Sequence, residues 1–186
     1  MVRFLLFALL MAGPALAAPR AYVLQADQST VGFETDFGPD RITGAMPVRS
    51  ADLTLDFDDV AKCRVDVSLD VSNAEASFPF AAQAMKGPKV LDAGAYPEIV
   101  FHSTSVRAKG DGALVDGQVT IRGVTRPAVL DAMIWRQKGT QPGDLSHLTI
   151  RLTGSLRRSD FGATGWADMV GDEVRIVILA RIERVD

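Results

Sequence analysis

The chain has 186 residues, 47% of them hydrophobic and 23% charged, with 20 basic against 23 acidic side chains and a formal net charge of −3. This balance argues against nucleic acid as a partner, because phosphate binding needs a basic surface. The charges are scattered without runs, so a polybasic membrane patch is also absent.

Arg3 supplies one positive charge, residues 4–11 form an unbroken apolar run, and Gly13-Pro14 breaks it before the small residues Ala15-Leu16-Ala17. That order is the signature of a cleavable secretion signal over residues 1–17. The apolar core is much shorter than the roughly 20 residues that span a bilayer. The mature chain, 18–186, is then the size of one domain, exported to the periplasm.

Beyond the signal the dominant pattern is period-2 alternation, which marks strands with one buried face. Strands are predicted over 21–26, 29–36, 41–48, 98–106, 113–122, 126–135 and 173–183. Three more follow from alternation at Leu53-Leu55-Phe57, at Val65-Val67-Leu69-Val71, and at Leu148-Ile150-Leu152-Gly154-Leu156. Turn chemistry separates several of them, as at Gly38-Pro39-Asp40, Gly110-Asp111-Gly112 and Pro142-Gly143-Asp144. Residues 74–85 break the alternation; they read as a loop and a short helix ending near Gly87-Pro88. A second irregular stretch, 158–171, carries Phe161, Trp166 and three of the chain's glycines. So many similar strands with one helical excursion indicate an all-β domain, either an up-and-down barrel or a sandwich. The segment Val174–Ala180 is apolar on both faces, which in a barrel means an apolar lumen and an apolar outer contact. A core filled entirely by side chains fits the same periodicity.

Catalytic equipment is sparse. His102 and His147 are the only histidines and neither belongs to a metal-binding spacing, while Cys63 has no second cysteine to pair with. Cys63 reads as a small buried apolar residue or, with Lys62 and Arg64 beside it, as a reactive thiol. Among Asp160, Asp168, Asp172 and Glu173, turn and capping roles fit the spacing best, and Asp160 is placed to pair with Arg158 at a strand junction. Phe33, Phe78, Phe80, Phe101, Trp135, Phe161 and Trp166 fit a core or the wall of an apolar pocket.

Five segments in order resemble the YceI family. They are Tyr22-Val23-Leu24 with Ser29-Thr30-Val31-Gly32-Phe33; Tyr96-Pro97-Glu98-Ile99-Val100-Phe101; Gly117-Gln118-Val119-Thr120-Ile121-Arg122-Gly123; Arg158-Ser159-Asp160-Phe161-Gly162; and Val170-Gly171-Asp172-Glu173-Val174. The resemblance implies an exported, eight-stranded antiparallel lipocalin-like barrel with a short helix between strands. It also implies a polyisoprenoid lipid in the lumen, no catalytic residues, no metal and no cofactor, homodimers and transient membrane contact. The lumen contacts expected on this basis are Phe33, Phe78, Phe80, Met85, Leu91, Phe101, Trp135 and Phe161. Two features depart from the family pattern: Gln28 stands where a histidine is usual, and Ala81-Ala82-Gln83-Ala84-Met85 lacks the usual charged pairs. They leave open a more apolar mouth or a different ligand. An enzyme or a redox accessory of membrane cytochromes, using Cys63 or His102, is the alternative from another class, and a filled barrel serving as an interaction module is the third.

Overall fold

The computed structural model describes residues 18–185, so the signal segment 1–17 lies outside the described residues. Eleven strands, β1 (Arg20–Leu24), β2 (Thr30–Phe37), β3 (Asp40–Met46), β4 (Val48–Leu55), β5 (Arg64–Asp70), β6 (Glu75–Ala76), β7 (Glu98–Lys109), β8 (Gly112–Ile121), β9 (Val124–Arg136), β10 (His147–Arg157) and β11 (Val170–Arg184), accompany one α-helix, α1 (Pro79–Lys86). β1 and β2 are two segments of one strand interrupted by a 3-10 turn at Ala26–Gln28, and Pro47 separates β3 from β4 in the same way. Pro47 has no N–H for a ladder bond, so a break there is expected. Counted so, eight antiparallel strands follow one another around the barrel, and β11 closes it by pairing with β10 on one side and with both β1 and β2 on the other. Closure removes the two free edge strands that an open sheet of this order would carry.

The strand periodicity expected from the sequence is present, with two differences at the irregular stretches. Residues 74–86 form the two-residue β6, which pairs with β3, and then α1. β11 begins three residues earlier than the pattern suggests, at Val170, after a one-turn 3-10 helix at Arg158–Phe161. Bulges also change which side chains face inward. A register shift between Val48 and Ser50 moves the inward set of the β3–β4 strand from Ile42, Gly44 and Met46 to Ala51, Leu53 and Leu55. A second shift, between Ser103 and Ser105, moves the inward set of β7 from Ile99 and Phe101 to Val106. Each inserted residue flips the parity of everything beyond it.

The two ends of the barrel differ. At the end where β1 begins and β11 finishes, Tyr22, Leu53, Leu55, Leu148 and Ile182 form a packed floor, with Leu148 and Ile182 fully buried. The Tyr22 ring meets Phe57 edge-on at 5.9 Å, and its hydroxyl donates to the Leu145 carbonyl at 3.0 Å. At the other end residues 71–97, including β6 and α1, arch over the opening between β5 and β7.

Inward glycines make room for two large rings. A Cβ on Gly44 would lie 2.3 Å from the Phe33 ring, and one on Gly117 would lie 2.3 Å from the Phe101 ring. Gly117→Ala should therefore lower the unfolding free energy by about 2 kcal/mol. Adding Phe101→Leu should recover much of it, with urea midpoints of the single and double variants as the readout.

Candidate functional site: an apolar lumen with one mouth

The floor closes one end, and above it the barrel encloses a cavity of about 570 Å³. A barrel of eight strands is just wide enough to be filled by side chains or to hold one small ligand. Here small inward residues (Ala51, Ala113, Ala128 and Ala132) leave the space open, and branched aliphatics on every barrel strand complete the wall. The filled-barrel reading is thereby corrected.

Seven of the eight side chains expected to contact a ligand line this cavity: Phe33, Phe78, Phe80, Met85, Leu91, Phe101 and Phe161. Trp135 does not. Even-numbered residues of β9 from Ala128 to Ile134 face inward, so Trp135 projects from the outer wall and is 46% exposed. The mouth also contains Trp166, which the sequence places among core or pocket-wall aromatics but not among the eight contacts, and Met169, which it leaves unassigned. Trp166 meets the Phe80 ring edge-on at 6.2 Å, and Phe78 meets Phe37 at 6.4 Å.

The mouth loop is built around Arg158. This buried guanidinium donates to four carbonyls: Gly171 through Nε (2.9 Å), Ala163 and Gly165 through Nη1 (2.6 and 2.7 Å), and Val170 through Nη2 (2.9 Å). Burial lowers its pKa, and the charge of Asp172 opposes that effect. Asp160 is not its partner; it is exposed, and Asp172 fastens the junction instead. The Asp172 carboxylate accepts from the Ser159 N–H at 2.9 Å, the Ser159 hydroxyl at 2.8 Å and Arg157 Nε at 3.0 Å. Those bonds hold its pKa below the usual carboxylate range.

Apart from the Trp166 indole at the mouth, four polar side chains reach the lumen wall, and each is already engaged. The Ser29 hydroxyl donates to the Gln25 carbonyl and accepts from the Arg181 N–H. The Thr35 hydroxyl lies 3.1 and 2.9 Å from the carbonyls of Gly171 and Glu173. Cys63 Sγ accepts from the Asp56 N–H at 3.3 Å and lies 3.4 Å from the Asp56 carbonyl. Arg158 is the fourth. A ligand in the lumen therefore meets mainly hydrocarbon, with each of these four groups already bonded to the protein's own backbone. The Gln28 side-chain oxygen, outside the lumen, accepts from Arg181 Nη1 at 2.8 Å.

The groups considered for chemistry stand apart. His102 is outside the barrel with Nδ1 2.6 Å from Asp66, and His147 lies 2.9 Å from the Ser146 hydroxyl and 3.4 Å from Glu183. Cys63 faces the opposite way, into the lumen. Burial pushes its thiol above its ordinary pKa, a change toward lower reactivity.

These features define a class: a small closed β-barrel with an apolar, one-mouthed lumen, built on the lipocalin-like plan. The chain belongs to the YceI-like family, whose domain profile matches residues 22–182. It is similar to the UPF0312 protein of Serratia proteamaculans, with 26% identity over 171 residues covering 91% of this chain and 88% of that one. A UPF0312 protein of Yersinia pestis is 24% identical over 168 residues, covering 90% and 87%. Among solved structures, that of Burkholderia cenocepacia BcnA superposes with a TM-score of 0.76 at 20% identity, covering 86% of this chain and 99% of its own. The Campylobacter jejuni YCEI protein superposes at 0.62 with 19% identity, covering 76% and 84%. At these identities the structural likenesses speak for the fold.

Arg158→Met should strand four carbonyls and cost about 3 kcal/mol in urea unfolding, with Arg158→Lys recovering only part. Cys63 should alkylate slowly at neutral pH, with a pH profile displaced upward relative to the urea-unfolded chain. The sign follows from the raised pKa: the neutral thiol's stabilising contribution is complete below the unfolded value and is lost as pH rises through the folded one. A native profile at or below the unfolded one would mark a reactive thiol instead.

Proposed function

We propose that this protein is an exported, non-enzymatic carrier or reservoir that holds the chain of an isoprenoid-type lipid, such as a polyprenyl lipid or a quinone tail, in its lumen. The observation that carries this reading is the cavity of about 570 Å³ whose engaged polar groups leave an apolar wall. Such a wall can select for hydrocarbon and for length, at roughly 0.8 kcal/mol per buried methylene, but has little with which to read a polar head group. Branched aliphatics and aromatics on every side suit a chain bearing methyl branches. The head group then stays at the mouth. The family membership and the secretion-signal pattern in residues 1–17 support the same reading, with the periplasm as its place of work. In that compartment an isoprenoid must cross water between membranes, and a lumen of this kind would shield it.

Native mass spectrometry after detergent-free purification should find a bound lipid of isoprenoid mass. Ala128→Phe, which puts a ring into the open space, should reduce the occupied fraction several-fold without lowering the unfolding midpoint. A clean apoprotein that also refuses added polyprenols would sink the proposal.

A further inference from the structure

Four side chains at the mouth line the lumen and are exposed at once: Phe78 (39%), Phe80 (69%), Trp166 (43%) and Met169 (46%). Apolar residues grouped in this way around an opening mark an interaction site more often than ones scattered singly over a surface. Here they are also held in place. Gly165, just before Trp166, donates its N–H to the Lys89 carbonyl at 2.8 Å, tying the two rim segments together. A Cβ on Gly165 would lie 2.8 Å from that of Lys89, so the approach depends on glycine. Trp166 itself has a left-handed backbone, φ 62°, which tryptophan rarely adopts, and its carbonyl accepts from the N–H groups of Met169 and Val170. The rim holds its aromatics outward on a braced backbone.

The charge beside them is distinctive. Residues 77–91 contain Lys86 and Lys89 and no acidic residue, in a chain with net charge −3. Arg122 Nη1 donates to the carbonyls of Pro88 and Val90 at 2.9 and 2.7 Å, which sets a third cation under the same turn. The acids nearest in sequence are Asp92, past the turn, the exposed Glu75 in β6, and the exposed Asp168 on the other rim segment.

We infer that the mouth rim is a membrane-docking face, with Phe80, Trp166, Phe78 and Met169 entering the interfacial layer and Lys86 and Lys89 meeting anionic lipid head groups. Aromatic anchors flanked by lysines suit the bilayer interface. The choice of a bilayer over a protein partner rests on the reading of the lumen as a lipid site. Whatever covers this patch also covers the lumen's opening, and only a bilayer then gives hydrocarbon an apolar path throughout.

The chain has two tryptophans, so Trp135→Phe leaves Trp166 as the sole emitter at the rim, and Trp166→Phe leaves Trp135 on the outer wall. With vesicles of phosphatidylcholine and phosphatidylglycerol, the first variant should show a blue-shifted emission and the second none. Phe80→Ser with Met169→Ser should weaken vesicle partitioning by about tenfold or more, with circular dichroism and the urea midpoint reporting an intact fold. Lys86→Glu with Lys89→Glu should weaken binding to anionic vesicles much more than to pure phosphatidylcholine. A shift from Trp135 instead of Trp166, or no vesicle binding at any composition, overturns the docking face. A polyprenol-uptake assay without vesicles separates the two proposals. A protein that takes up a polyprenol yet ignores vesicles loses the docking face alone. One that binds vesicles through Trp166 yet takes up no polyprenol keeps the docking face and loses the lumen reading.

Discussion

Everything in this structure depends on the closure of the sheet by β11. That strand runs from Val170 to Arg184 and pairs along its length with β10 on one edge and with β2 and then β1 on the other. Its inward residues, Val174, Ile176, Ile178, Ala180 and Ile182, run from the mouth to the floor. Because β11 joins the ends of the sheet into one backbone hydrogen-bonded ring, the interior need not be fully packed to keep its shape. An apolar hole still forfeits dispersion contacts along its lining. The closed ladder and the floor cluster around Leu148 and Ile182 carry that cost.

The asymmetry of the two ends gives the lumen a direction. At the floor, Tyr22, Phe57 and Leu145 are joined by ring packing and one hydrogen bond. At the mouth the buried Arg158 guanidinium donates to four backbone carbonyls of the loop and the start of β11. A buried charge is tolerable only when its donors are met, and here meeting them also shapes the loop that presents Trp166 and Met169. The arginine acts on the mouth's architecture, its bonds going to backbone carbonyls. One constellation therefore accounts for the rigid rim.

The outer wall shows a different use of apolar residues. Val177 and Leu179 of β11, with Val129, Met133 and Trp135 of β9, project away from the lumen and are exposed. They explain why the β11 segment reads as apolar on both faces: one face lines the cavity and the other forms part of the surface. Ion pairs such as Arg107 with Asp116, and Arg175 with Glu34 and Asp36, occupy other parts of the exterior. Exposed pairs of this kind contribute little to stability individually, so the barrel's stability rests on its ladder and floor.

By itself, the sequence determined the all-β class, the strand locations, the single short helix and the family. Those features are local: alternation, turn residues and a helix break are written in consecutive positions. The apolar character of the lumen was legible too, since seven of the eight proposed contacts line it. What only the tertiary structure decided is parity and closure. Trp135 and Ile134 are adjacent and both apolar, and only the pairing of β9 with β8 and β10 places one outside and the other within. The bulges after Val48 and Ser103 reverse the inward face halfway along their strands, and alternation carries no mark of which side is the lumen. Nor could the sequence reveal that Arg158 binds carbonyls rather than Asp160, because those acceptors are backbone atoms that any residue would supply. The space itself is a property of eight walls at once, set by how far glycine and alanine on one strand let the rings of another lie flat.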